Sequence, residues 1–227
     1  MTNKTGLIAV SCRPDQGRWI EVYQCLEDLI KPEGWKIKYF TSWFSYQNKN
    51  FAVDYAKARN LDYIFFVDDD QILPPDTLIR LLAHDKDVVT CNLISRVPPF
   101  HPFLFMDAKD SGEAVCLPLD EQKGLIEVEA CGAGGILIKA ECFNKVKWGV
   151  DELIKTEDLF ICRELRKNNY KIYCDLSAPS GHIAVAVVWP DKVNGKWVTT
   201  IVHNNDLKIQ LPAAKNVNGL LTIPDRT

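Results

Sequence analysis

The sequence predicts an α/β fold with a mostly parallel central sheet, and three observations support this prediction. Strand-like and helix-like segments alternate through the first hundred residues, as they do in chains that build parallel sheets. The strand-like segments are continuous apolar runs, which are typical of strands buried on both faces. One of them, Tyr63–Val67, leads directly into Asp68, Asp69 and Asp70, and α/β sheets bind their ligands at the carboxyl ends of such strands.

Each strand is predicted from an apolar run, rich in β-branched or aromatic residues, that ends at turn-forming residues. The Gly-rich segment 132–135 predicts a flexible turn in front of one strand, and the Pro-rich segment 97–103 predicts a loop that crosses the sheet edge. The predicted strands of the sheet are residues 6–12, 35–40, 63–67, 87–94, 125–129, 136–138 and 171–176.

The helices are predicted from apolar residues that recur on one face at 3.6-residue spacing. This pattern runs from Trp19 to Ile30, and Pro32 and Gly34 then end the helix. The last predicted helix stops at Asn169, a residue that tolerates the left-handed conformation of a helix cap. The helices predicted after the first one are residues 51–59, 77–83, 140–146 and 159–168.

Beyond residue 183, strand-like segments surround Asn194-Gly195, a pair that is typical of a tight hairpin turn. A C-terminal hairpin extension is therefore predicted. No internal repeat, low-complexity segment or linker interrupts the chain, so the sequence predicts a single domain over residues 1–227 with helices on both faces of the sheet.

Composition limits the class of protein. The chain has 227 residues, 47% of them hydrophobic, which is enough for one domain with a substantial core. A net charge of −3 indicates neither a nucleic acid nor an anionic membrane as a partner, although a nucleic-acid acceptor stays open. The apolar runs are too short to span a bilayer, and the first residues lack the apolar region of a signal peptide. Eight cysteines without a Cys-x-x-Cys pair favour reduced thiols and a cytoplasmic location.

Asp68, Asp69 and Asp70 are the first candidates for chemistry. Adjacent carboxylates at the end of a buried strand repel one another and lose hydration, so we expect a cation to compensate them. A divalent metal that is held by Asp68 and Asp70 and shared with a phosphate would do so. A solvated turn leading into the next helix is the alternative interpretation of this segment taken alone.

Two later segments add candidates. In Thr156-Glu157-Asp158, the threonine stands where a helix N-cap is expected and the acidic residues fall in the first turn, where they can also simply complement the helix dipole. In Pro179-Ser180-Gly181-His182, the histidine follows a predicted strand and can reach a metal at its end, although a lone histidine is more often an ordinary surface or core residue.

Taken together, these segments resemble the GT-A-fold glycosyltransferases, especially family-2-type enzymes and their compact viral and bacterial relatives. The resemblance extends from about residue 6 to residue 183 and rests on five motifs that occur in the family's order. They are Asp-x-Asp at the end of a buried strand (Asp68-Asp69-Asp70), a Gly-rich strand entry (132–138), a Glu-Asp helix start with a downstream arginine (Glu157, Asp158, Arg163), an Asn-Tyr-Lys-Ile-Tyr strand (169–173) and a terminal Gly-His (Gly181-His182).

The resemblance implies a site for a nucleotide diphosphate-sugar together with Mn²⁺ or Mg²⁺. Asp70 would bind the metal, Asp68 would hold the metal or the donor, and His182 would be the third protein ligand of the metal. Ser11 and Arg13 would lie near the base and the ribose. The full set of donor-binding residues that the resemblance implies is Ser11, Arg13, Asp68, Asp69, Gly134 and Gly135.

The resemblance also implies a reaction, namely the transfer of one sugar, with inversion, to a hydroxyl of a glycan or another acceptor. Asp158 would be the general base that deprotonates this hydroxyl, and Glu157 would position it. Residues 6–96 would bind the donor, and residues 97–227 would form the acceptor side.

The chain departs from the family pattern in two places. Family-2 enzymes often carry an Ala-Arg-Asn triplet one helix before Asp-x-Asp, where this chain has Asn50-Phe51-Ala52, and Lys49 is the candidate for the contact of the missing arginine. The Gln-x-x-Arg-Trp motif of processive synthases is absent, which favours transfer of a single sugar.

Three other functions stay open on the sequence. Val67–Ile72 partly matches the pattern of haloacid-dehalogenase-type phosphatases, in which a strand-end aspartate is phosphorylated. A nucleotidyltransferase would share much of the architecture, although Ser11-Cys12-Arg13-Pro14 makes a poor phosphate loop. A catalytically inactive module that binds a nucleotide-sugar or a glycan is the alternative without enzyme activity.

Overall fold

The computed structural model of the protein describes residues 4–15, 19–96, 101–110, 115–117, 122–194, 196–203 and 207–212. Contacts divide the described chain into two compact units, one that ends at Ile183 and one that begins at Ala184. Each unit has a sheet of its own. The prediction of a single domain over residues 1–227 stays a prediction.

The first unit is built on a mixed sheet. Its strands are β1 (Gly6–Cys12), β2 (Lys36–Thr41), β3 (Tyr63–Asp68), β4 (Gln71–Ile72), β5 (Val88–Leu93), β6 (Leu104–Met106), β7 (Val115–Cys116), β8 (Leu125–Val128), β9 (Ala130–Cys131), β10 (Gly135–Lys139) and β11 (Ile172–His182). The central sheet has the order β2-β1-β3-β10-β5-β11-β4, with β8 also paired to β11, and β7-β6-β9 form a small separate sheet. Of the eight central strands, β1, β2, β3, β5 and β11 run in one direction. The predicted α/β fold with a mostly parallel sheet is therefore confirmed.

Helices cover both faces of this sheet, as the sequence predicts. They are α1 (Ile20–Asp28), α2 (Ser45–Lys57), α3 (Thr77–Ala83) and α4 (Glu157–Lys167), with a 3-10 helix at Ala140–Asn144. Successive residues of β1 alternate between two core clusters, because side chains of a strand point to opposite faces. Leu7 and Ala9 pack with residues of α2 and α4, whereas Ile8 and Val10 pack with residues of α1 and α3.

Two elements differ from the sequence prediction in ways that matter for the site. Helix α2 begins at Ser45 rather than at residue 51, because its first half carries polar residues that apolar periodicity does not mark. Strand β11 continues to His182 past an irregularity in its pairing with β5 between Asp175 and Pro179. The segment 179–182, which lies beyond the strand predicted at 171–176, is thus a continuation of β11, and Gly181 and His182 pair with β4.

The carboxyl ends of the long parallel strands meet at one edge of the sheet. In the register of β1 with β3, Ser11 is the partner of Asp68, and the Asp69 amide donates a hydrogen bond of 3.2 Å to the Ser11 carbonyl. On the other side of β10, Ser180 of β11 is the partner of Leu93 of β5. Residues that follow or end these strands are therefore brought together by the direction of the strands alone.

The second unit is an antiparallel sheet of β12 (Ala186–Val193), β13 (Lys196–His203) and β14 (Leu207–Pro212). Strands β12 and β13 pair along their whole length, and Asn194 has a φ of 49°, so the predicted hairpin is confirmed.

Of the predicted loop at 97–103, residues 97–100 lie outside the described residues. None of the helices in the described chain combines the length and the apolar composition that crossing a membrane requires. The eight cysteines, all of which lie within the described residues, form no disulfide with one another.

The glycines before and at the start of β10 are needed for packing. Gly132, Gly134 and Gly135 are buried. A Cβ added at Gly135 would lie 2.3 Å from Cys91 Sγ, and one added at Gly134 would lie 3.0–3.2 Å from the Gln71 side chain. The turn predicted as flexible is therefore closely packed between β3, β5 and the Gln71 side chain.

We expect Gly135→Ala to lower the free energy of unfolding by about 1–3 kcal/mol, because the new methyl group overlaps with Cys91 Sγ. In a Cys91→Ala background the nearest atoms would be Leu73 Cδ2 at 3.6 Å and the residue-91 Cβ at 3.8 Å, which are ordinary contacts. The free energy of unfolding of the double variant should therefore exceed the value expected from adding the two single effects by on the order of 1 kcal/mol. Urea unfolding of the four proteins measures this coupling, and strictly additive effects would contradict it.

Candidate active site

The carboxyl edge of the central sheet opens into a cleft of about 540 Å³. Eight of the ten residues that the sequence singles out line it, and these come from β1, β3, the start of α4 and the end of β11. They are Ser11, Arg13, Asp68, Asp69, Asp70, Glu157, Asp158 and His182. The structure does not bring Gly134 and Gly135 into the cleft lining, and their donor-binding role stays a prediction.

Three backbone hydrogen bonds fix the aspartate segment. The Asp68 amide donates to the Gly134 carbonyl at 3.3 Å, the Asp69 amide to the Ser11 carbonyl at 3.2 Å, and the Asp70 carbonyl accepts from the Ile183 amide at 2.9 Å. The side chains of Asp68 and Asp70 keep only 28% and 13% of their surface exposed. The aspartate segment is therefore fixed in the wall of the cleft, and it is not the solvated turn that the alternative interpretation describes.

Lys49 of α2 lies beneath the cleft and joins its two acidic segments. Its Nζ is 3.2 Å from Asp68 Oδ1, 3.4 Å from Glu157 Oε1 and 3.9 Å from Asp158 Oδ1, and its side chain is only 1% exposed. The ammonium also lies 5.1 Å from the centroid of the Trp148 ring, in cation–π range. Burial alone would lower the pKa of Lys49, but the three carboxylates raise it above its ordinary value, so the group stays charged.

Glu157 and Asp158 are adjacent but titrate differently. Burial raises the pKa of Asp158 to about 7, with repulsion from Glu157 and Asp68 added and the attraction of Lys49 opposing. Burial would also raise the pKa of Glu157, but Lys49 and a hydrogen bond from Ser45 lower it below the ordinary value. Near neutral pH, one carboxyl is thus poised to take or give a proton while the other is ionised, which is the pattern of an acid–base pair with divided roles.

Three buried carboxylate oxygens in the cleft lack a hydrogen-bond partner within the described structure. They are Asp68 Oδ1, Asp69 Oδ2 and Asp158 Oδ1, of which Asp68 Oδ1 and Asp158 Oδ1 lie 3.2 Å and 3.9 Å from Lys49 Nζ. Burial raises the pKa of Asp69 to about 6, and repulsion from Asp70 and Asp68 adds to this shift. Buried carboxylates without partners favour either protonation or a bound cation.

Asp70 differs from its neighbours because it has cationic partners. Its Oδ2 contacts Arg96 Nη1 and lies 3.4 Å from His182 Nε2. Burial alone would raise the pKa of Asp70, but the His182 hydrogen bond and the charges of His182 and Arg96 lower it. His182 donates from Nδ1 to the Ile94 carbonyl at 2.9 Å, since a carbonyl can only accept, and this leaves Nε2 directed at the carboxylate.

The residues fit a divalent cation in their chemistry. Asp68, Asp69 and Asp70 offer hard oxygen donors, and once the His182 imidazolium loses its Nε2 proton, the Nδ1 hydrogen bond leaves Nε2 free to act as a ligand. Within the described ranges, however, no three His, Cys, Asp or Glu side chains already converge as a metal-binding group. The Arg96 guanidinium contacts the Asp70 oxygen that a metal would use.

One side of the cleft is formed by the end of β1 and the start of α2. Ser11 Oγ is 3.3 Å from Ser45 Oγ and accepts a hydrogen bond of 3.2 Å from Asn48 Nδ2. Asn48 also donates to the Cys12 carbonyl at 2.8 Å, so it ties α2 to the end of β1. Arg13 lies at the rim and pairs with Asp15.

Sequence reasoning misses several residues of the cleft. Arg96 is three residues beyond Leu93, the last residue of β5, and a basic residue after a strand of a parallel sheet is the signal that could have identified it. Trp43 and Phe44, which are 67% and 56% exposed, follow β2 and line the rim. The sequence identifies Lys49 only as a replacement for an absent arginine, and its contacts with both acidic segments depend on how α2 packs.

Comparisons with known proteins show the fold more than the function. No protein-family model matches the chain. A solved structure, A197 from STIV, has a TM-score of 0.53 and 14% sequence identity, and the match covers 93% of this chain and 96% of that one. At this identity, the likeness supports the α/β fold alone.

Part of the chain is similar to proteins described as Na(+)-translocating NADH-quinone reductase subunits. The protein of Histophilus somni is 27% identical over 124 residues, which are 48% of this chain and 29% of the relative. That of Mannheimia succiniciproducens is 30% identical over 104 residues, which are 42% of this chain and 24% of the relative. The chain spans less than a third of the length of these relatives, so we draw no activity from the similarity.

We expect Lys49→Met to lower the free energy of unfolding by about 3–5 kcal/mol at pH 8, because it leaves buried carboxylates without their counter-ion. Without Lys49, the folded-state pKa values of Asp68 and Asp158 rise further above those of the unfolded chain, and Glu157 loses the attraction that lowers its pKa. The loss of stability is therefore largest above the folded-state pKa values and shrinks as the pH falls toward 5 and the carboxyls take up protons.

Urea unfolding of wild type and variant at pH 5, 6.5 and 8 measures this dependence. Lys36→Met is the matched control, because Lys36 is exposed on β2 and its loss should matter little at any of these pH values. A Lys49→Met deficit that is equal at pH 5 and pH 8 would show that lost packing, rather than unpaired charge, is the cause.

Proposed function

We propose that the protein is a metal-dependent, inverting glycosyltransferase with a GT-A-like fold. It would move one sugar from a nucleotide diphosphate-sugar to a hydroxyl of a glycan or another acceptor. The observation that supports this most is the meeting, in one cleft, of the Asp68–Asp70 carboxylates, His182 and a second acidic pair at the start of α4. The two groups of carboxylates would serve different partners, the donor and the acceptor.

The donor side would be formed by β1, β3 and β11. Ser11 and Arg13 line the part of the cleft next to the aspartates, where a nucleoside could lie. Asp68, Asp70 and His182 would hold Mn²⁺ or Mg²⁺. When bound, such a cation neutralises charge on the diphosphate as the glycosidic bond breaks.

The acceptor side would depend on Asp158. A carboxyl with a pKa of about 7 accepts a proton from a hydroxyl more readily than an ordinary aspartate, and it is half-ionised near neutral pH. Its Oδ1, which accepts no hydrogen bond within the described structure, is the atom that would receive the proton. Glu157, which Lys49 keeps ionised, would hold Asp158 in place through their shared contact with the Lys49 ammonium. The acceptor contacts of residues 97–227 stay a prediction.

Incubation with a panel of nucleotide diphosphate-sugars tests the proposal directly. We expect slow release of free sugar from one of them, dependent on added Mn²⁺, because water can replace the acceptor. Metal-dependent binding without any release or transfer of sugar would favour the inactive binding module. Release of phosphate from phosphomonoesters would favour the phosphatase instead.

We expect Asp158→Asn to lower turnover roughly 10²–10⁴-fold, because the amide keeps the shape of the side chain but cannot accept a proton. Donor affinity should change little, since Asp158 would act on the acceptor. In the wild type, kcat/KM should rise as the pH increases through about 7, because only the deprotonated carboxyl is a base. Glu152→Gln is the control, as Glu152 is exposed just before α4. Near-normal turnover of Asp158→Asn would assign the base to another residue.

We expect Asp70→Ala and His182→Ala each to weaken Mn²⁺-dependent binding of a nucleoside diphosphate and to leave the thermal unfolding temperature nearly unchanged. Both side chains face the cleft and neither belongs to the core clusters. Calorimetric titration with and without Mn²⁺ measures the effect, with Asp54→Ala on the exposed face of α2 as control. Equal affinity and equal metal dependence in all four proteins would exclude Asp70 and His182 as ligands.

A further inference from the structure

The pairing of Arg96 with Asp70 sets a condition on any cation that enters the cleft. Asp70 Oδ2 is the oxygen nearest to His182 Nε2, at 3.4 Å, and the same oxygen contacts Arg96 Nη1. Asp70 Oδ1 is 3.4 Å from Gln71 Nε2. A metal that binds between Asp70 and His182 therefore has to share or displace the guanidinium, and two cations on one carboxylate oxygen repel each other.

The two cations that contact the aspartates are held very differently. Lys49 is 1% exposed and has carboxylates of two elements around it. Arg96 is 44% exposed, and among the described residues its ion pair is with Asp70. A half-exposed arginine can change rotamer without opening the core, whereas Lys49 cannot leave its position without leaving charges unpaired. Arg96 is thus the cation that can be exchanged.

The charge of the proposed donor gives the released guanidinium a partner. A nucleoside diphosphate brings more negative charge than one divalent cation neutralises, and a guanidinium forms strong bidentate hydrogen bonds with phosphate oxygens. Arg96 lines the same cleft as the aspartates, so its guanidinium already borders the space that a bound diphosphate would occupy.

We propose, building on the proposed function, that Arg96 is an exchangeable counter-ion of this site. It neutralises Asp70 in the free protein and binds the donor diphosphate once a divalent metal has taken Asp70. Arg96 thereby weakens the binding of metal alone and strengthens the binding of metal and nucleotide together. The metal and the donor therefore bind cooperatively.

One substitution tests this because it should change two affinities in opposite directions. Arg96→Gln removes the competitor for Asp70, so Mn²⁺ alone should bind roughly tenfold or more tightly, as measured by the loss of the free Mn²⁺ electron paramagnetic resonance signal. At saturating Mn²⁺, uridine or guanosine diphosphate should bind roughly tenfold or more weakly in calorimetric titration, because the phosphate contact is lost.

The matched control is Arg80→Gln. Arg80 has nearly the same exposure, 46%, and is likewise paired with one aspartate, Asp76, at 2.6 Å, but it does not line the cleft. It should leave both affinities unchanged. Circular dichroism and thermal unfolding of Arg96→Gln establish that the variant is folded.

The outcomes separate this inference from the function on which it rests. If the wild type binds Mn²⁺ with a nucleoside diphosphate but Arg96→Gln shows unchanged Mn²⁺ affinity, or unchanged or tighter diphosphate binding, Arg96 is not an exchangeable counter-ion and the proposed function stands. If wild type, Arg80→Gln and Asp70→Asn all fail to bind Mn²⁺ with either diphosphate, the metal site is wrong and the inference falls with it.

Discussion

The ion pairs of Lys49 are the interaction on which the candidate site depends. One buried ammonium joins a carboxylate at the end of β3 to two carboxylates at the start of α4, and α2 carries it between them. Removed from water, such carboxylates would otherwise take up protons or push the two elements apart. The neighbouring acids differ in pKa because burial prevails at Asp158, whereas Lys49, which is nearer to Glu157, and a hydrogen bond from Ser45 lower the pKa of Glu157.

The direction of the strands and a few backbone hydrogen bonds position this site. Strands that run in one direction end at one edge, so Ser11, Asp68 and His182 become neighbours without long loops. Backbone hydrogen bonds then fix the aspartate segment to β1 and to the residue after β11. Side chains anchored in this way lose little additional freedom on binding a ligand, which is the physical basis of a preorganised site.

The sequence predicts those parts of the fold that local composition determines. Strand β3 and its aspartates are visible because an apolar run ends in charge, and α3 is recovered at Thr77–Ala83 because its apolar residues repeat clearly. The start of α2 is missed because its buried residues Asn48 and Lys49 are polar. Tertiary hydrogen bonds and ion pairs compensate their burial, so the sequence shows no apolar periodicity in this part of the helix. The role of Arg96 is not predicted either, since it depends on the distance between the ends of β5 and β3. The packing of Gly135 against Cys91 likewise requires knowing that β10 lies beside β5.

Strand β10 is inverted between two strands that run the other way, and this has a consequence for acidity in the cleft. Strand β10 begins at the edge of the sheet where β3 and β5 end. The residues that precede β10 therefore lie at the same edge as the residues that follow β3 and β5. The backbone of Ala133 therefore opposes the rise in the pKa of Asp158 that burial causes. If all strands of the sheet were parallel, only the segments that follow the strands would lie at this edge. The reversal of a single strand thus adds a backbone dipole to the acidic cleft, and small changes in the spacing of the 132–134 turn would tune the proton affinity of Asp158 without altering any ionisable residue.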